Sequence, residues 1–412
     1  LQGHMDMVCE KRAGVEHDFE KDGLDLIIRD GRLTANGTTL GGDNGVAVAL
    51  MLMVLDDDEI EHPPVECVFT TEEEVGLNGA KALDKSVLKA RTMINMDSED
   101  EGVATVSCAG GLRVQFTKEI QRTTVQGSLL TLKVEGLLGG HSGQDIDKER
   151  QNADLLMARM IQRLLKETKG QLVSFNGGTK DNAIPRECEA SLIYESDEEA
   201  AKAEELACEL AETYAEELTP AEPDFSCEIS CETNRTAEAI PQDAAKEFIC
   251  AMRLAPNGIQ KRNIKMDGFV VVSLNLGVVR TEEDRIVMIF SPRSSVASLQ
   301  EDTKERLNTL AETFGFTVSH SSEYPGWSFK EDSPVREICK ESYKELFGED
   351  LKIEAIHAGL ECGLFSDAIK GLDAIAIGPT IANCHTPDEY LTLDSFERFY
   401  EFLKDILSRL AK

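Results

Sequence analysis

The chain has 412 residues, 41% hydrophobic and 29% charged, a composition that builds folded domains rather than disordered tails. Its 76 acidic and 43 basic side chains leave a formal net charge of −33, which repels a phosphate backbone and argues against nucleic acid as a partner. The longest unbroken apolar run, Val46 to Leu55, is ten residues, about half of the ~20 needed to span a bilayer, so no membrane segment is expected.

The length implies two or three domains, each with its own apolar interior. No charged segment followed by an apolar one opens the chain, so a secretory leader is not indicated. The eleven cysteines are odd in number and form no Cys-x-x-Cys pair, the usage expected of reduced thiols in a cytosolic protein. Because the chain starts at Leu1 in what reads as a buried strand, part of the first domain is expected to lie upstream.

That opening stretch, Leu1 to Val8, carries His4 and Asp6 on one face, since side chains two apart on a strand point the same way. On its own such a pair reads as a local hydrogen bond. Asp18 to Asn36 is polar and turn-rich, with a hairpin turn expected at Asp30-Gly31. Gly41-Gly42-Asp43-Asn44-Gly45 then leads into an apolar helix over Val46 to Leu55, which places Asp43 at a helix start where a negative charge is favoured. Alone, Asp43 would be an N-cap. Val65 to Thr70 reads as a strand ending in Glu72-Glu73-Glu74, and Ala90 to Asp97 as another ending in an acid. Strands alternating with helices indicate an α/β domain, whose sites lie beyond the carboxyl ends of its strands.

Around Gly110-Gly111 the pattern changes. Leu112 to Phe116 and Leu129 to Val134 alternate like a half-exposed antiparallel sheet, and Asn152 to Thr168 reads as an amphipathic helix. Strands at Leu172 to Asn176, Glu189 to Tyr194, Phe225 to Cys231 and Phe269 to Val279, with a charged helix from Glu198 to Glu217, suggest β-α-β repeats. From about Pro325 the α/β texture returns, with helices at Pro334 to Leu346 and Leu393 to Leu410, a strand at Leu351 to Ile356 and an apolar segment from Asp373 to Pro379. The expected architecture is therefore an α/β domain made of residues 1–110 and 325–412, with a mixed sheet between helices, interrupted by an α+β insert over residues 111–324.

The acids and imidazoles at the ends of elements in the α/β domain are His4, Asp6, Asp43, Glu73, Glu74, Asp97 and His385. Five carboxylates and two imidazoles suit a pair of zinc-like divalent ions, each bound by one imidazole and carboxylates with a position open to water. Two such ions about 3.5–4 Å apart can share a bridging carboxylate and lower the pKa of a shared water. Neighbouring Glu73 and Glu74 diverge, so one can bind metal while the other takes a proton.

Gly3-His4-Met5-Asp6-Met7-Val8, Gly42-Asp43-Asn44-Gly45, Thr71-Glu72-Glu73-Glu74-Val75-Gly76, Asn95-Met96-Asp97-Ser98-Glu99 and His385-Thr386-Pro387-Asp388-Glu389 resemble, in order, the motifs of the cocatalytic-zinc aminoacylase/carboxypeptidase family of metallopeptidases. Gly139 to Gly143, Gly178 to Arg186 and His357 to Gly363 resemble its aminoacyl-histidine (Xaa-His) dipeptidase branch. The resemblance runs from residue 1 to the last helix, and Glu72 stands where the family often has Asp.

Carried over position by position, it implies two Zn2+ per chain, with Co2+ or Mn2+ able to substitute. His4 and Asp97 would hold one ion, Glu74 and His385 the other, and Asp43 would bridge them. Asp6 would orient His4, and Glu73 would be the general base for a zinc-bridged hydroxide. His141 would stabilise the tetrahedral oxyanion. Asn182, Arg293 and Gly359 would receive the carboxyl end of a small dipeptide. The insert would be a lid of the dimerisation type. In smaller relatives it is a single unit that dimerises, and here it is about twice as long, so it is expected to mimic that dimer internally with His141 acting in cis. The implied protein is a cytoplasmic dipeptidase, monomeric or homodimeric. A deacylase of N-acyl amino acids with the same metals, and a silent family member that only binds, are the rival expectations.

Overall fold

The computed structural model describes residues 1–264 and 268–412. The chain forms two compact units, Leu1–Ala109 with Pro325–Lys412, and Gly110–Tyr324.

The first unit is built on a six-stranded mixed sheet in the order Lys352–Ile356, Val103–Cys108, Asp373–Ala376, Thr92–Asn95, Gln2–His4, Val68–Thr70. Only the pairing of Val103–Cys108 with Asp373–Ala376 is antiparallel among the described pairs of this sheet. Gln2–His4 therefore lies between two parallel neighbours, Val68–Thr70 and Thr92–Asn95. Helix Pro334–Phe347 packs on strand Asp373–Ala376 and on the last helix, Leu393–Leu410. Tyr343, Phe347, Phe399 and Phe402 interlock in tilted and edge-on ring contacts within and between these two helices.

The expected hairpin forms between Leu26–Arg29 and Arg32–Ala35, with Asp30 and Gly31 at φ 52° and 73°, the left-handed pair that a two-residue turn requires. It extends into a small four-stranded sheet with Tyr390–Thr392 and Ile381–Ala382. The loop between these last two strands carries His385.

The helix expected from Val46 runs over Gly42–Asp56, with Asp43 and Asn44 outside helical φ/ψ. Val46, Ala47, Leu50, Met51 and Val54 are buried, a spacing that forms one helical face. This helix crosses strand Gln2–His4 at Gly3, where a Cβ would meet Ala47 Cβ at 2.3 Å. Gly3 thus permits the close approach that brings the start of the helix to the end of the strand. Strand Val103–Cys108, which the sequence reading left unassigned, is also part of this sheet: its short length and single apolar alternation carry little local signal.

The second unit centres on a sheet in the order Ser226–Ala239, Thr123–Glu135, Cys188–Tyr194, Gln171–Gly177, Val270–Thr281, Arg285–Ser294, Gly110–Glu119, Thr317–Tyr324, with Gly258–Arg262 pairing Val270–Thr281. Two copies of one topology share it. One runs strand Thr123–Glu135, helix Ala153–Glu167, strands Gln171–Gly177 and Cys188–Tyr194, helix Asp197–Leu218, strand Ser226–Ala239. The other runs strand Gly110–Glu119, helix Gln242–Leu254, strands Val270–Thr281 and Arg285–Ser294, helix Ala297–Thr313, strand Thr317–Tyr324. Outward from the central antiparallel pair Gly177↔Val279, the strands of both copies follow the same order. The repeat is thus βαββαβ, and the first copy is inserted after the opening strand of the second. Helices Gln242–Leu254 and Ala297–Thr313 were not assigned from the sequence. Phe116, Leu130, Phe175, Phe248 and Phe290 belong to one buried cluster to which both copies contribute.

Asn152 caps helix Ala153–Glu167 by accepting from the Asp154 and Leu155 amides, and its own amide donates to the buried Leu276 carbonyl at 2.8 Å. Asp154 is fully buried with only the Cys188 thiol against its carboxylate, and burial pushes its carboxyl up to about 8.

Two outcomes follow from this packing. Gly3→Ala should cost roughly 1–3 kcal/mol by overpacking, and adding Ala47→Gly should recover part of it, as thermal denaturation will show. Asp154→Asn should stabilise the protein. A carboxyl held protonated by the fold loses stability as pH rises from its unfolded value near 4 to about 8, so the gap in melting temperature between variant and parent should be absent near pH 4, widen through neutrality and level off above pH 8.

Candidate metal centre

Three neighbouring strands deliver the first part of the site at their carboxyl ends. Gln2–His4 ends in His4, Val68–Thr70 leads into Glu73 and Glu74, and Thr92–Asn95 leads into Asp97. The start of helix Gly42–Asp56 adds Asp43, and the loop after Ile381–Ala382 adds His385.

The two oxygens of Asp43 face different partners. His4 Nε2 lies 3.1 Å from Asp43 Oδ1 and 3.4 Å from Asp97 Oδ1. His385 Nε2 lies 3.2 Å from Asp43 Oδ2 and 3.0 Å from Glu74 Oε1. In each set the imidazole and two carboxylates offer atoms within 4.8 Å of one another. Glu74 Oε1 is buried and, apart from this close approach to His385, has no hydrogen-bond partner. One imidazole nitrogen and carboxylate oxygens in each set, with one carboxylate common to both, fit a pair of borderline divalent cations.

The electrostatics agree. Burial would lower His4, but hydrogen bonds to Asp43 and Asp97 outweigh it and raise the imidazole to about 12. His385 is raised to about 10 by its contacts with Asp43 and Glu74. Burial works against the charged form of Asp43 as well, yet the two imidazoles hold it below the usual carboxylate range. Burial raises Asp97 and lifts Glu73 to about 8, with the Asp97 charge adding to the rise in Glu73. The cluster is therefore negative enough to demand protons or cations.

Asp6 does its work mainly through other atoms than expected. His4 Nδ1 is 3.0 Å from the Asp6 main-chain oxygen and 3.5 Å from its carboxylate. A carbonyl can only accept, so Nδ1 carries a proton; with a cation in place of the Nε2 proton, the Nε2 lone pair would be the one directed toward Asp43 and Asp97. The Asp6 carboxylate instead accepts from the Glu73 and Glu74 amides at 3.1 and 3.2 Å, which fixes the turn that presents both glutamates.

Two acids escaped the sequence reading. Glu389 is buried and accepts from the amides of Leu40, Gly41 and Asp43 at 2.7, 3.0 and 3.2 Å, tying the His385 segment to the segment bearing Asp43. The signal was a helix start with glycine at its cap and no side chain to accept its amides. Glu361 is buried, and its Oε2 accepts from Gln2 Nε2 at 2.5 Å and Thr70 Oγ1 at 2.6 Å. Asn95 Nδ2 in turn donates to Gln2 Oε1 at 2.6 Å, so polar side chains lace the three site-bearing strands together. Glu99 and Cys384 also offer atoms within 4.8 Å of Asp43. Gly359 lies between strand Lys352–Ile356 and helix Glu361–Ala368.

The remaining candidates lie in the second unit. His141 sits in a short strand paired with Ala183–Ile184, beside Asn182, whose carbonyl accepts from the Ser142 amide at 2.9 Å. His141 Nδ1 accepts from the amides of Gly143 and Gln144 at 3.3 and 3.0 Å, which leaves the proton of the neutral ring on Nε2. Burial and the Arg293 charge lower His141 to about 4, so it is neutral at physiological pH. Arg293 is buried, and its Nη2 lies 3.5 Å from His141 Nε2. Two donors thus converge, an arrangement suited to an oxyanion or carboxylate.

A model described as peptidase family M20/M25/M40 matches residues 1–409. The chain is 35% identical over 416 aligned positions to the cytosol non-specific dipeptidase of Escherichia coli (strain K12), a match that covers 100% of this chain and 84% of that one. The crystal structure of aminoacylhistidine dipeptidase from Vibrio alginolyticus superposes with a TM-score of 0.93 at 35% identity, over 99% of this chain and 83% of that one. Aminopeptidase PepT from Bacillus cereus ATCC 10987, at 16% identity and a TM-score of 0.52 over 100% of this chain and 80% of that one, shares the fold.

The Asp6 contacts can be tested by metal affinity. Asp6→Asn leaves one of the two glutamate amides without an acceptor, and titration against a chelator should show divalent-cation affinity lower by roughly 10–100-fold.

Proposed function

Because the chain belongs to peptidase family M20/M25/M40, we propose that it is a metal-dependent dipeptidase with a two-cation centre. The observation that carries this reading is the division of Asp43, one oxygen toward His4 and Asp97 and the other toward His385 and Glu74. His4 and Asp97 would hold one cation, Glu74 and His385 the other, and Asp43 both. The names of the two 35%-identical relatives support a dipeptide as substrate, and that of the aminoacylhistidine dipeptidase alone supports a preference for Xaa-His. The metal of choice is Zn2+, with Co2+ or Mn2+ as substitutes, and the enzyme acts in the cytosol as a monomer or homodimer. Among the described residues no helix is long and apolar enough to cross a membrane.

The cations, when bound, polarise the scissile carbonyl and acidify water. The chain's own residues supply the rest. Glu73 neighbours Glu74, and its carboxylate is free to take the proton of the attacking water and pass it to the leaving amine. Glu73, raised by burial, would be ionised for the first transfer when positive charge lies beside it. His141, neutral and protonated on Nε2, donates to the oxygen on which negative charge develops. Arg293, with Asn182 and Gly359, receives the terminal carboxylate of the peptide, for which a planar guanidinium is suited.

With two equivalents of Zn2+, carnosine-type and Xaa-His dipeptides should be hydrolysed and N-acetyl amino acids left largely intact; the reverse preference would replace this reading with a deacylase. Glu73→Gln should retain both cations by elemental analysis while turnover falls by roughly 10²–10⁴-fold. Undiminished turnover would remove Glu73 from the mechanism.

A further inference from the structure

Arg293, Gly111 and Tyr324 form a row across three adjacent strands of the second unit. In the antiparallel pairings Arg293 stands opposite Gly111, and Gly111 opposite Tyr324. Directly opposed residues present their side chains on the same face, so a side chain on the middle strand would separate the outer two. Glycine leaves that lane open: a Cβ at position 111 would come within 2.8 Å of the Tyr324 hydroxyl oxygen and 3.0 Å of Cζ. Through the gap Arg293 Nη1 donates to the Tyr324 hydroxyl at 3.0 Å. Gln300, buried on helix Ala297–Thr313, reaches the carbonyls of both Gly111 and Tyr324 at 3.4 Å, which braces the row from the helix.

This contact decides which edge of the guanidinium stays available. Nη1 is engaged by Tyr324, Nη2 faces His141 Nε2 at 3.5 Å, and the buried Nε has no hydrogen-bond partner. Among the described residues Arg293 forms no ion pair with a carboxylate. A buried guanidinium without a counter-ion is costly, and the edge made of Nε and Nη2 is the fork that grips a carboxylate through two parallel hydrogen bonds.

We infer that Tyr324 is a positioning residue for substrate recognition, admitted by the missing side chain of Gly111, which holds Arg293 so that its Nε/Nη2 edge faces the terminal carboxylate of the peptide. The inference rests on the reading of Arg293 given above. Tyr324 acts only through Arg293, so its effect must vanish when the guanidinium is gone. A role confined to packing would instead persist.

The test is steady-state kinetics on an Xaa-His dipeptide with the zinc-loaded full chain, comparing the parent with Tyr324→Phe, Gly111→Ala, Arg293→Ala and the double variant Tyr324→Phe/Arg293→Ala. Tyr324→Phe keeps the ring and removes only the acceptor. It should raise KM roughly tenfold with kcat changed less than about twofold, and Gly111→Ala, which displaces the hydroxyl, should do the same. In the Arg293→Ala background Tyr324→Phe should leave kcat/KM unchanged, the signature of a coupled pair. If Arg293→Ala raises KM but Tyr324→Phe does not, the positioning role is overturned while the Arg293 reading stands. If Tyr324→Phe lowers kcat/KM equally in both backgrounds, Tyr324 acts through packing and the inference fails. If Arg293→Ala leaves KM unchanged, the carboxylate reading of Arg293 fails and the inference falls with it.

Discussion

The first unit depends on the close approach of helix Gly42–Asp56 to strand Gln2–His4, which the missing side chain of Gly3 permits against Ala47. That contact brings an acid at a helix start within 3.1 Å of an imidazole at a strand end. Every other ligand candidate is arranged around the carboxylate so placed. His385 meets its second oxygen, Glu74 meets His385, and Asp97 meets His4. Concentrating this many acids in a buried place is unfavourable without cations, and the surrounding hydrogen bonds show how the fold holds them there. Glu389 fastens the amides of Leu40, Gly41 and Asp43, the Asp6 carboxylate fastens the amides of Glu73 and Glu74, and Glu361 joins the strands below.

The second unit solves a different problem with the opposite charge. Where the first gathers acceptors, the second gathers donors: the Nε2–H of a neutral histidine and the unpaired edge of a buried arginine. Two backbone amides set the histidine tautomer, and a tyrosine reaching across a glycine sets the arginine. Neither arrangement depends on charge alone. Both rest on where the main chain places small residues and amides, and in each unit a single glycine opposite a larger partner creates the necessary space. The twofold repetition of βαββαβ supplies the long sheet on which this row of residues lies.

How much of this was legible in the sequence differs by element. The hairpin at Asp30-Gly31, the strand that carries His4 and the apolar helix after Gly45 have strong local signatures, and the structure forms all three. Strand Val103–Cys108 and helices Gln242–Leu254 and Ala297–Thr313 lack them, because their pairing and packing partners lie far along the chain and supply the stabilisation that local propensity does not. Of the candidate site residues, the seven acids and imidazoles of the first unit come together. The Asp6 carboxylate proves to serve the Glu73 and Glu74 amides more than the His4 ring, a distinction of one atom that spacing cannot express. Glu389 and Glu361 were part of quoted motifs yet had no assigned task, since an acid that accepts main-chain amides looks like any other acid until those amides are located.

By itself the sequence determined the kind of chemistry: two imidazoles and five carboxylates at the ends of alternating elements, in an order that resembles a cocatalytic metallopeptidase. Those properties follow from residue type and local periodicity, which the linear chain carries. Only the tertiary structure decided that Asp43 is divided between two partners, that Nδ1 of His4 meets a main-chain carbonyl while Nδ1 of His141 meets main-chain amides, and that Tyr324 reaches Arg293 over Gly111. The physical reason is range. Each of these is a contact of about 3 Å between residues tens to hundreds of positions apart, or between a ring and a main-chain group, and it exists only once strand order and helix packing have placed them.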